Sequence, residues 1–166
     1  MANIIGIVGI VVTGVALLFA ILACALPQWN TTAGTKTGIW QFCNTVGDTT
    51  CVDIDEDLIG EESYDKIKVM KAMTLLGIIL TVPALVCGIL VLFVMKDMKI
   101  LFFVAGGIDI LAGLFLMVAF AYYVDDIYVD SPVTSLGASF ALDIVAWILA
   151  WVAGGLFIAA KFMDKE

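Results

Sequence analysis

Four long apolar stretches decide what this chain can fold into: Ile4 to Leu26, Val69 to Met95, Ile100 to Tyr123 and Leu136 to Ala160. They hold 23 to 27 residues each. As helices rising ~1.5 Å per residue they reach ~34–40 Å, enough to cross a bilayer with some tilt. The chain is 63% hydrophobic and 14% charged, with a mean hydropathy of +1.11. A soluble domain of 166 residues cannot hide so much apolar surface, so lipid must be the solvent for much of it. Subtracting four spans leaves one connection of real size, Pro27 to Lys68. No repeat, low-complexity run or linker divides the chain, and residues 1–166 are read as one membrane domain.

Proline marks several boundaries. Pro27 ends the first stretch, and Pro132 sits in the connection before the fourth. Pro83, inside the second, frees a carbonyl one turn earlier, where a kink is expected. The N-terminal Met1-Ala2-Asn3 carries no basic residue. The apolar run behind it exceeds the about 7–15 residues of a signal-peptide core, so it is expected to be a retained span.

The formal net charge is −8, with no His and no Arg. That argues against a phosphate-tracking surface, and nucleic acid is not an expected partner. Without His the commonest metal ligand and the commonest general base are both missing. There is no nucleophile–base pair and no glycine-rich phosphate loop, so no catalysis, cofactor or metal is expected.

Orientation does not follow from lysines alone. Lys96, Lys99, Lys161 and Lys165 fall on one side, and Lys36, Lys66, Lys68 and Lys71 on the other. Three other features place the Pro27 to Lys68 segment outside the cell, the first being the eight acids from Asp48 to Asp65 that dilute Lys66, Lys68 and Lys71. Cys43 and Cys51 share it, and a bridge between them needs an oxidising compartment. Asn30-Thr31-Thr32 on the same segment is an acceptor sequon for N-glycosylation. Four spans then leave both termini in the cytosol.

Thr37 to Phe42 and Thr49 to Ile54 are short runs rich in Thr, aromatic and β-branched residues around the turn signal Val46-Gly47-Asp48. They read as an antiparallel hairpin with Cys43 and Cys51 facing each other across neighbouring strands; the alternative is two free thiols. Closing a ring of about nine residues contributes roughly 2.5 kcal/mol on the chain-entropy model. After the hairpin, Asp55-Glu56-Asp57 has the acidic character of a helix N-terminus. From Glu61 onward a helix can run without a break into the second span. The remaining cysteines, Cys24 and Cys87, lie in spans and read as small apolar residues.

Trp29, then Gly38-Ile39-Trp40, then Cys43 and Cys51 resemble the tryptophan, Gly-Leu-Trp and paired-cysteine signature of the claudin superfamily. The order of these residues and the four-span plan agree over the whole chain. The resemblance implies an all-α membrane four-helix bundle carrying a small extracellular antiparallel β-sheet. The eleven-residue step from Trp29 to Trp40, the short cysteine spacing and Ile148-Leu149-Ala150-Trp151-Val152-Ala153 are similar to the peripheral myelin protein, epithelial membrane protein and lens fibre membrane protein branch. Leu136-Gly137-Ala138-Ser139 resembles the start of the fourth span in claudins proper, which sets the chain between branches. Ile39 stands where leucine is usual, and the tail Lys161 to Glu166 lacks a hydrophobic end for scaffold binding. The arginine common before the second span has no counterpart, and Lys66, Lys68 and Lys71 are the candidates to replace it.

Trp29 and Trp40 have a structural role as their expected one, seating the sheet on the bundle. The outer face would hold eleven carboxylates, including Asp125, Asp126 and Asp130, against four lysines. Such a surface attracts cations within a Debye length of ~8 Å. In cation-conducting claudins an acidic residue just beyond the second cysteine lines the pore. Asp53 stands in a similar place, and Asp55 and Asp57 follow it. The plain alternative is a solvated acidic face. Alternation of the three also suggests an oxygen-ligand loop, but the glycine and glutamate of an EF-hand are not at the right offsets.

Asp109 and Asp143 lie inside the third and fourth spans, where an ionised carboxylate costs ~3 kcal/mol even on mild scales. Asp109 shares a helix face with Ala105, Gly106, Ala112 and Gly113; Asp143 shares one with Ala150 and Gly154. Small residues mark closely packed faces, so both carboxyls should point into the bundle. Counted from the cytosolic ends, Thr13 and Asp109 lie at similar depth, and Thr81 and Asp143 differ in depth by no more than about 4 Å. Each acid is expected to be largely protonated and bonded to a threonine or a freed carbonyl. A proton or cation relay is the functional alternative.

Taken together, these features point to a non-enzymatic plasma-membrane protein of cell–cell junctions or adhesion, whose sheet meets like or related proteins in the same or the apposed membrane. A paracellular barrier or a cation-preferring pore is the form this would take, with Ile127-Tyr128-Val129 as a second contact point. The other reading is an accessory subunit gripping a larger channel or receptor through its small-residue faces.

Overall fold

The computed structural model describes residues 2–94, 98, 100–125 and 135–163. Four helices in it are long and apolar enough to cross a membrane. The element order is α1 (Ala2–Ala25), β1 (Asn30–Thr32), β2 (Thr35–Thr37), β3 (Gln41–Asn44), β4 (Thr50–Asp53), α2 (Glu56–Ile59), α3 (Glu61–Phe93), α4 (Ile100–Tyr123), β5 (Ser135–Leu136) and α5 (Ala138–Met163). Lys96 and Lys99, used above for the orientation, fall outside the described residues. Asp126, Ile127-Tyr128-Val129, Asp130, Pro132 and the end of the tail also lie outside them.

Each long helix packs on two neighbours. α1 lies against α5 and α3, α4 lies against α3 and α5, and α1 and α4 meet only marginally as a diagonal. Small side chains form the seams: Ala16, Ala20 and Ala23 on α1, Ala105 and Ala112 on α4, Ala146, Ala150 and Ala153 on α5 are all buried. Large apolar residues such as Val11, Ile79, Phe103 and Val152 point outward. Lipid gives no hydrophobic drive for helices to associate, so close van der Waals approach must hold them together. One backbone-to-backbone approach is reciprocal. A Cβ at Gly106 would lie 2.7 Å from the Gly154 carbonyl oxygen, and one at Gly154 would lie 2.8 Å from that of Gly106. Helix α3 runs unbroken through Pro83, which sits on its exposed side.

A five-stranded sheet of order β4-β3-β2-β1-β5 caps one end of the bundle, and all its described pairs are antiparallel. Cys43 pairs with Cys51 in register and the two form a disulfide, with Cα atoms 4.0 Å apart. Two expectations need correction, and the hairpin, which is present as β3 and β4, is extended. The strand read over Thr37 to Phe42 is broken, because Gly38-Ile39-Trp40 turns a corner between β2 and β3. The simple hairpin is part of a larger sheet, since Thr31 and Thr32 face Lys36 and Thr35 across the Ala33-Gly34 turn. Leu136 does not open the fourth span; it pairs with Asn30 in β5, and α5 begins at Ala138.

Helix starts follow the acids. Asp55 caps α2 by accepting from the Leu58 N–H at 3.0 Å. Gly60, with φ of 82°, joins α2 to α3, a left-handed turn that favours glycine. From Glu61 the helix runs through the seam into the bundle without a break.

The glycine seam is directly testable. Gly106→Ala drives a methyl group into backbone and should destabilise the α4–α5 pair by about 1–3 kcal/mol. Gly107→Ala, beside it, meets nothing within 4 Å and should be neutral or slightly stabilising. Thermal unfolding of the two variants in detergent checks the contrast.

Candidate functional site

The seam between sheet and bundle gathers the signature residues, and Trp29 sits at its centre. Ala23 in the last turn of α1 lacks a helical donor because the residue four positions on is Pro27, which has no N–H. The Trp29 indole N–H fills that place, donating to the Ala23 carbonyl at 2.7 Å. Its ring is fully buried, 5.1 Å from the Tyr123 ring of α4 and 6.2 Å, edge-on, from Phe140 of α5. The backbone extends the joint. Trp29 N–H donates to Thr37 O at 2.9 Å, and Trp29 O accepts from Gly137 N–H at 3.0 Å. Gln28 O accepts the Ser139 N–H at 3.0 Å, satisfying an orphan donor in the first turn of α5, while Ser139 Oγ donates to Leu26 O at 3.0 Å.

The corner Gly38-Ile39-Trp40 presses on the same joint. A Cβ at Gly38 would lie 2.6 Å from the Pro27 Cα, so only glycine lets the corner meet the end of α1. Ile39 is fully buried in one core with Trp29, Met70, Ala119, Tyr123 and Phe140. Trp40 is 40% exposed, and its indole N–H points to Cys24 Sγ at 3.4 Å. Of the three lysines named in place of the absent arginine, Lys66 pairs with Glu62 at 3.5 Å and Lys68 with Asp65 at 2.9 Å. Lys71 alone lies over Trp40, with Nζ 4.9 Å from the ring centre.

Asp53, Asp55 and Asp57 are exposed but do not converge. Asp53 ends the edge strand β4 and accepts from Gln41 Nε2 at 3.3 Å; Asp55 is engaged as the α2 cap; Asp57 lies in α2. Among the described residues no group of three or more His, Cys, Asp or Glu side chains is arranged to hold a metal ion. Asn30 lies between β2 and β5, half-buried, with its Oδ1 enclosed and without a partner among the described residues.

A model of the PMP-22/EMP/MP20/Claudin family matches residues 2–157. The chain belongs to that family. No curated protein matches it significantly. With four candidate spans, this PMP-22/EMP/MP20/Claudin family member is a multi-pass membrane protein.

Inside the bundle of this family member the two acids differ. Both are fully buried. Thr13 Oγ1 on α1 donates to Asp109 Oδ2 on α4 at 2.6 Å, joining the two diagonal helices. The expected Thr81–Asp143 bond is absent. Thr81 returns its hydroxyl to Gly77 O at 2.8 Å, the local bond open to any mid-helix threonine, and both Asp143 oxygens lack partners among the described residues. The contacts of Cys24 and Ser139 were not foreseen in the sequence, whereas Lys71 was one of the three lysines named there. Ser139 carried a usable signal, a serine two residues after a glycine at a helix start; Cys24 carried none.

Two outcomes follow for this member. Trp29→Phe should cost about 1 kcal/mol from the orphaned Ala23 carbonyl, and Trp29→Ala about 3–5 kcal/mol from the emptied seat; denaturant unfolding in micelles measures both. Asp109→Asn keeps an acceptor for Thr13 and should preserve the fold, whereas Asp109→Leu breaks the α1–α4 hydrogen bond and should cost about 1 kcal/mol. Equal losses for Asn and Leu would refute that account of the pair.

Proposed function

We propose that this chain is a non-enzymatic protein of cell–cell contacts in the plasma membrane, with both termini cytosolic and the sheet facing the extracellular fluid. The observation that carries the reading is the rigid mounting of the sheet. Its strands are bonded to the exits of two spanning helices and stapled at Cys43–Cys51, so the exposed β4 edge is presented at a fixed height and angle. A surface held this way suits meeting a like or related protein beside it or across the intercellular gap. An adhesive loop that had to order itself on contact would lose part of that advantage.

The charge of that edge argues for a cation-attracting face. Asp53 ends β4, Asp55, Glu56 and Asp57 follow, and all four are exposed. If the sheets of apposed molecules border a paracellular path, sodium would pass in preference to chloride. Asn30 is a strand residue with an enclosed amide oxygen, which favours a structural role for the sequon over a glycan.

A monolayer of epithelial cells expressing the chain tests this. The protein should concentrate at mutual contacts, and transmonolayer conductance should favour sodium over chloride. Asp53→Asn should lower that preference while leaving surface delivery unchanged. Uniform spread over free and touching membrane would count against the contact role, and an unaltered ion preference against the role of Asp53.

A further inference from the structure

The seam holds one cation in a setting unlike that of its neighbours. Lys66 and Lys68 pair with carboxylates on their own helix, as exposed lysines at such spacing do. Lys71 is half-buried and lies between two aromatic faces, 4.9 Å from the Trp40 ring centre and 5.7 Å from that of Tyr64. No ion pair holds it among the described residues. The acidic edge is nevertheless close. The Trp40 carbonyl accepts the Ile54 N–H at 2.9 Å, and Gln41, the next residue, is the register partner of Asp53. Asp53 directly precedes Ile54, so its backbone is tied beside the residue whose ring Lys71 covers.

We propose that Lys71 sets how strongly the Asp53 edge attracts cations. The clamp fixes the ammonium near enough to weaken the field of Asp53 and too far away to pair with it. Asp53 therefore keeps a carboxylate open to passing ions, while its attraction is held below that of an uncompensated acid. Lys68 lies over the same Tyr64 ring at 4.5 Å and still closes on Asp65 at 2.9 Å, so the contact with Trp40 is what sets Lys71 apart. The proposal rests on the cation-facing reading of Asp53, and its central test needs no pore.

Trp40 reports the local potential. Trp29 is fully buried and Trp147 and Trp151 lie within α5, so ions in water quench chiefly Trp40, and subtracting a Trp40→Phe protein isolates its signal. Caesium and iodide quenching, each normalised to neutral acrylamide, would be measured on the full chain in nanodiscs of uncharged lipid. Lys71→Met should raise the caesium-to-iodide ratio about two- to fivefold, the size expected for removing one charge within several ångströms in a half-aqueous setting. Lys71→Arg should match the wild type. Asp53→Asn should lower the ratio, and the double variant Lys71→Met, Asp53→Asn should return near the starting value.

A ratio indifferent to Lys71, or a double variant that behaves like Lys71→Met alone, would overturn the proposal. Acrylamide quenching shows whether Trp40 keeps its seat. If Lys71→Met loosens it, Lys71→Gln takes its place, and loosening by both would make Lys71 a strut and defeat the charge role. The same variants on monolayers separate the two readings. Ion ratios that follow Lys71 while no variant carries current would end the pore reading and leave the charge role standing.

Discussion

Everything at the sheet end hangs on the hydrogen bond from the Trp29 indole to the Ala23 carbonyl. A span that leaves the membrane at a proline strands a carbonyl at the worst place, where the chain passes from lipid to water. Here the stranded group becomes the anchor. Trp29 reaches back to it, and in doing so its ring is drawn between Tyr123 and Phe140, which belong to two other helices. Burying ~150–250 Å² of aromatic surface there is worth roughly 4–6 kcal/mol as an upper figure, more than any single strand pairing supplies. The sheet has almost no core of its own, with Trp29 and Ile39 as its main contributions to a core that the helices complete.

From that seat the remaining signature residues follow as consequences. Gly38 is required because the β2–β3 corner touches the Pro27 backbone. Ile39 fills the space under the corner, and Trp40 closes its rim against Cys24 and Lys71. The disulfide then acts on the outer part of the sheet, tying β3 to the edge strand β4, whose four residues are all exposed. Seat and staple therefore divide the work. Packing secures the inner strands and a covalent bond secures the outer ones.

How much of this was legible in the sequence depended on the range of the interaction. The spans could be read because their signal is compositional, and the third, Ile100 to Tyr123, matches α4 residue for residue. The facing of Cys43 and Cys51 was legible because a short antiparallel turn leaves little freedom in register. Thr13–Asp109 could be anticipated from depth and from the small residues around Asp109. The same depth argument misplaced Thr81, since depth says nothing about rotation, and a mid-helix hydroxyl always has its own backbone to turn to. β5 could not be read at all. Its two residues are strand only because Asn30, more than a hundred positions earlier, offers them an edge, and Leu136 looked like any other apolar residue opening a span.

The two buried acids show how a bundle can be uneven along its length. Asp109 bridges α1 and α4 across the diagonal, so the half of the bundle away from the sheet is tied by a polar bond as well as by the Gly106–Gly154 contact. Asp143 lies one turn into α5, just beneath the seat, and has no such partner among the described residues. A carboxyl placed there weakens the packing that Trp29 strengthens. The two effects meet at the start of α5, where Gln28 and Leu26 accept the Ser139 N–H and hydroxyl and hold the helix to the sheet. The joint thus takes its strength mainly from apolar burial and its orientation from directional hydrogen bonds, which hold a fixed angle better than they resist being pulled apart. A sheet that must present one edge at a set orientation to another molecule calls for that kind of joint.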